Sequence, residues 1–123
     1  MLARIAVASA ALVLGGTTTA ALSTSWSKWQ VVGRKTASGT DSALTISRAI
    51  RYPRAIGVRG SSPTHIGMRI IWNCTKFLTN RQWDIEVLGG FHALPHVRGS
   101  EKCVVTVVAH GRDRITVLVY KRA

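Results

Sequence analysis

From Ser42 to Trp83 the chain carries Arg48, Arg51, Arg54, Arg59, Arg69, Lys76 and Arg81, and not one acidic residue. A surface so charged raises the local concentration of any polyanion and speeds encounter with it. Arginine is the better half of such a set, because its planar fork meets phosphate and carboxylate bidentately. These seven residues are therefore the candidate polyanion-binding set. The partners they suit are an anionic polymer, such as teichoic acid, acidic polysaccharide or extracellular nucleic acid, or an anionic membrane surface. The whole chain shares the bias, with twelve arginines and five lysines against five acids and a net charge of +12. GC-rich codon usage would account for arginine over lysine, but not for the scarcity of acids. Tyr52 sits among the arginines, yet Trp29, Trp72 and Trp83 are expected mostly on core faces. The interleaving of cations and stacking rings that marks nucleic-acid binders is thus thin, and base-reading motifs are missing.

Other chemistry is sparse. His92 and His96 have the spacing that seats two metal ligands on a helix, but Pro95 opposes a helix there. A loop could still present both rings, with Glu101 or Asp84 supplying a carboxylate for a His-dependent hydrolase. Asp84 and Glu86 alternate onto one strand face, in the spacing of a glycosidase carboxylate pair. The plainer reading is a solvated face salt-bridged to neighbouring arginines. No Gly-x-Ser-x-Gly elbow and no cofactor motif occurs, and two thiolates make only half a zinc site. The expectation is a non-enzymatic binding module without a cofactor or metal. The alternatives are a secreted effector, either membrane-active or protease-inhibiting through Gly89 to Ser100, and the His-dependent hydrolase.

Compartment follows from the first residues. Met1 and Arg4, the apolar run Ile5 to Leu14 and the small residues Gly15 to Ala21 have the order of a secretory signal peptide. The run is shorter than the ~20 residues of a bilayer span. Residues 1–21 are read as signal and 22–123 as one exported domain. Cys74 and Cys103 are the only cysteines, and in an oxidising compartment an even count means a bridge.

The elements that must position these groups are strands. Ile66 to Cys74 alternates cleanly, with Ile66, Met68, Ile70, Trp72 and Cys74 on one face. Gln82 to Leu88 places Trp83, Ile85 and Val87 inward. Cys103 to Ala109 is β-branched, and Ile115 to Tyr120 follows it as the second arm of an expected hairpin. Trp29 to Gly33 and Arg54 to Arg59 complete the clearer strands. Ser42 to Tyr52 reads as a strand with Arg48 on its inward face, at the rim or past a bulge. As a helix it would be capped at Thr40 to Ser42 and would send Arg48 to solvent. Loops are expected at Thr36 to Thr40, Gly60 to Thr64, Thr75 to Arg81 and Gly89 to Lys102. About seven strands without a firm helix predict an all-β, immunoglobulin-like two-sheet sandwich, or a small barrel. Both cysteines point inward, so the bridge is expected to link the two sheets.

The order of Pro-Arg-x-Ile-x-Val (Pro53 to Val58), Ile-x-Trp-x-Cys (Ile70 to Cys74), Cys-x-Val-x-Val (Cys103 to Val107) and a terminal hydrophobic strand resembles small exported β-sandwich proteins of GC-rich Gram-positive bacteria. The resemblance implies this fold and location, and no activity. The chain differs from the enediyne-binding apoproteins, which share the architecture but carry two disulfides and acidic surfaces.

Overall fold

The computed structural model describes residues 28–122; the signal segment expected at 1–21 lies outside them. Eight strands form: β1 (Trp29–Ala37), β2 (Ser42–Arg51), β3 (Ala55–Ser61), β4 (Ile66–Lys76), β5 (Thr79–Leu88), β6 (Gly90–Ala93), β7 (Lys102–Gly111) and β8 (Ile115–Arg122). They make two four-stranded sheets, ordered β1-β8-β3-β6 and β2-β7-β4-β5. Every pairing is antiparallel. The chain changes sheet at each connection except β4 to β5, which is the winding of a jelly roll.

The period-two pattern explains why the sheets face each other. Ile56, Val58, Ile115, Val117 and Val119 of the first sheet meet Ile46, Ile50, Ile70, Trp72, Val105 and Val107 of the second, all buried. Leu94 and Val97, from the connection after β6, fill one end of the core. Fully burying each such aliphatic side chain stabilises by roughly 1.5–3 kcal/mol. Inside it, Trp72 donates its indole N–H to the Pro95 carbonyl at 3.0 Å, so the largest buried ring leaves no polar atom unmet.

The two-sheet sandwich stands as expected, with four corrections. There are eight strands, because Gly90–Ala93 is a strand inside the segment expected to be a loop. At four residues it is too short to show a period. The strand order is that of a jelly roll and not of the immunoglobulin fold, because alternation fixes which face of a strand is inward and says nothing of its neighbours. The Cys74–Cys103 bridge forms, but within one sheet: the two residues are directly opposed on β4 and β7, with Cα atoms 4.1 Å apart. Inward phase is satisfied equally by an adjacent strand and by the facing sheet. Finally, β7 and β8 are no hairpin; they belong to different sheets, joined across a turn with Asp113 at φ 61°.

Ser42–Arg51 is a strand throughout, paired with β7 in unbroken register. Arg48 lies in the inward phase yet is exposed, because β2 is an edge strand and its side chain leaves through the seam beside β1. There its Nε donates to the Val32 carbonyl at 3.2 Å. That carbonyl is presented by a bulge in β1, where the register with β8 shifts between Val31 and Gly33. Gly33 makes room: a Cβ there would stand 2.9 Å from the Arg48 Cγ. Lys35 crosses the same seam to the Thr45 carbonyl at 2.9 Å. Arg48 thus joins the sheets at their open edge. Arg48→Ala is expected to cost about 0.5–1.5 kcal/mol in thermal unfolding and to leave polyanion binding unchanged.

Candidate basic cleft at the β4–β5 end

The seven sequence-predicted cations do not share one face. Besides Arg48 in the seam, Arg69 stands on the exposed face of the second sheet, paired bidentately with Asp84 across β4 and β5. Hydrogen bonds from Arg69 hold the Asp84 carboxyl below its ordinary value, and the same pairing raises the Arg69 guanidinium above its own. A carboxyl lowered by folding stabilises the fold above the unfolded-chain value, and the contribution is lost as pH falls through the lowered one. Asp84→Asn is therefore expected to lower the melting temperature slightly near neutral pH and to match the parent in strong acid, the effect being small because the pair is solvated. Asp84 is thus salt-bridged to a neighbouring arginine on a solvated face.

Arg59 lies on the outer face of the first sheet, 5.5 Å over the Phe91 ring. Phe91, Trp29 and Tyr120 pack edge-to-face there at 5.3–6.3 Å, and Arg122 covers Trp29 at 5.9 Å. Trp29 therefore sits outside the core and not on it. These rings spend their faces on one another and on arginine.

Arg51, Arg54, Lys76 and Arg81 do share one end of the sandwich. Arg51 pairs in register with Lys102, Lys102 with Thr75, and Thr75 with Asn80 beside Arg81. Arg54 donates its backbone N–H to Arg122 at the end of β8. The connection 94–101 folds over this end: Glu101 donates to the Thr75 carbonyl at 2.8 Å, and Tyr52 to the Glu101 carbonyl at 2.9 Å. Between that connection and the β4–β5 hairpin opens a cleft of about 370 Å³, lined by Lys76, Arg81 and Arg98 together with Thr79, Trp83, His96, Ser100 and Cys74. Trp83 forms a stacked wall, with Trp72 behind it at 6.1 Å and the His96 ring on it at 5.0 Å. No carboxylate is among the lining residues, and Arg69–Asp84 is the one ion pair among the described residues. Three cations with two hydroxyls in one concavity can hold phosphate, sulfate or carboxylate groups by charge-assisted hydrogen bonds.

Sequence reasoning found Lys76 and Arg81 but missed Arg98, which hides in a segment whose shape is set by its anchors on Thr75 and Val97. A Pro-His-Val-Arg-Gly-Ser run bordering the disulfide was the available signal. The two sequence-predicted histidines have separate engagements. On the short β6, His92 Nε2 is 2.9 Å from the Leu88 carbonyl at the end of β5, whereas His96 stacks on Trp83. A group of three His, Cys, Asp or Glu able to hold a metal ion does not occur among the described residues.

Fold and cleft together define an eight-stranded jelly-roll domain with a basic end cleft. No family model matches the chain, and no curated protein matches it. Among solved structures, TmCBM61 in complex with β-1,4-galactotriose aligns over 79% of this chain and 90% of its own, at 12% identity and a TM-score of 0.37. Nothing about a ligand is carried over from it.

Proposed function

We propose that the protein is an exported, non-enzymatic binding module that holds anionic polymer in the Lys76–Arg81–Arg98 cleft. The observation that carries this reading is the convergence of those three cations on one concavity lined by no carboxylate. Arg51, Arg54 and Lys102 at the same end extend the positive field beyond the cleft. A repeating phosphate or carboxylate polymer of a cell envelope has the charge spacing to engage both. The disulfide is compatible with an oxidising, extracellular setting.

The test is a calorimetric titration with poly(glycerol phosphate), and with neutral dextran as comparison, at two ionic strengths. Three cation–phosphate contacts predict an affinity loss on the order of 20–40-fold between about 50 and 200 mM salt. Affinity that ignores salt, or equal binding to dextran, would remove the proposal.

A further inference from the structure

The hairpin that forms one wall of the cleft has an unusual tip. Lys76 pairs with Thr79, so the turn is the two residues Phe77 and Leu78. Two-residue hairpin turns need positive φ at one or both central residues and favour glycine or asparagine there. Here Phe77 adopts φ 56°, a conformation disfavoured for a bulky side chain. The core gains nothing in return: Phe77 is 78% exposed and Leu78 102%. Tyr52, at the same end of the sandwich, also has positive φ and is 70% exposed. Two large apolar side chains thus project past the end of the sheet on a strained turn, with the Lys76, Arg81 and Arg98 cleft directly behind them.

That order, apolar tip first and cations behind it, complements the section of an anionic bilayer, hydrocarbon beneath phosphate. A soluble polymer offers the cations their charges but gives Phe77 and Leu78 nothing apolar to enter. We infer that the Phe77–Leu78 tip inserts into the acyl boundary of an anionic membrane while Lys76, Arg81 and Arg98 hold lipid phosphates, so that the domain stands end-on at a lipid surface. This inference rests on the cleft being an anion site and names the surface to which that site is turned. Apolar insertion and phosphate attraction each contribute to such interfacial binding, and cations near an anionic leaflet add to it one by one.

The test is co-sedimentation of the whole protein with vesicles of equimolar phosphatidylglycerol and phosphatidylcholine, with pure phosphatidylcholine vesicles alongside. The variant is Phe77→Gly/Leu78→Asn, which puts glycine at the one positive-φ position of the turn and so keeps the hairpin. The parent is expected to bind the anionic vesicles and not the neutral ones. The variant should lose on the order of 100-fold in partitioning and keep its affinity for poly(glycerol phosphate). A Leu78→Trp variant should shift its emission to the blue on the anionic vesicles. Equal vesicle binding by parent and tip variant overturns the inference while leaving the cleft reading intact. So does binding of the parent to polymer but not to vesicles. Failure of the parent to bind either probe overturns both.

Discussion

Replacing Cys74 and Cys103 together by alanine is expected to lower the stability of the domain by about 3–4 kcal/mol. The bridge closes a loop across a sequence separation of 29, and most of its contribution is entropy withheld from the unfolded chain. That loop contains β5, β6 and the connection 94–101. In the folded state the two half-cystines are buried, at 4% and 0% exposure, on adjacent strands already tied by the sheet ladder. Their loss therefore leaves the native pairing possible but less favoured. Domains of this size are stable by only ~5–15 kcal/mol, so the change is a large share of the total. The melting temperature should fall by on the order of 15–30 °C. Denaturant unfolding of the double variant checks this, and a loss below about 1 kcal/mol would show that the β4–β7 ladder holds the sheet without the bridge. Because Cys74 also lines the cleft, the variant should bind poly(glycerol phosphate) less tightly before it unfolds.

The second large effect is on binding. Lys76→Glu/Arg81→Glu/Arg98→Glu should reduce affinity for poly(glycerol phosphate) on the order of 100–1000-fold, since three attractions become three repulsions in one concavity. All three residues are exposed, so stability should change little. Net charge alone would also weaken binding, and a matched variant separates the two. Arg34→Glu/Arg112→Glu/Arg114→Glu makes the same change in charge, with Arg34 on the outer face of the first sheet and Arg112 and Arg114 at the opposite end. It should cost only a few-fold. Equal losses in the two triple variants would mean that the protein binds through its overall field and that the cleft has no special part.

The strands that carry this argument were legible from alternation alone. Ile66 to Cys74 and Cys103 to Ala109 bury the residues their phase assigns inward. Their common inward phase also made the disulfide legible. What alternation cannot encode is which strands become neighbours. The expected inter-sheet bridge and the expected β7–β8 hairpin both failed on that point, since each asked a facial pattern to report a lateral pairing. Arg48 was visible as a charge out of phase, but its use depends on the β1 bulge and on β2 lying at an edge. Gly33, unremarkable in the sequence, is what admits the arginine. The cleft was half legible. The turn between β4 and β5 is only two residues, shorter than the loop expected there, so Arg81 pairs with Cys74 and lies diagonally across the ladder from Lys76. Arg98 joins them only because backbone hydrogen bonds fold the connection 94–101 back over β4. The acid-free stretch from Ser42 to Trp83 reads as one basic surface, but the fold distributes its cations among a seam, an ion pair, an aromatic face and one end.

The claim on which the functional account depends is that anionic ligand enters at the β4–β5 end. Amide chemical-shift mapping of the labelled protein during titration with short poly(glycerol phosphate) chains tests it directly. Saturable shifts are expected at Lys76, Thr79, Arg81, Trp83, His96 and Arg98, with quiet resonances around Arg69 and Asp84 and reversal of the shifts by added salt. Shifts centred instead on the Arg69–Asp84 face or on Arg59 and Phe91, with the cleft amides unmoved, would contradict it.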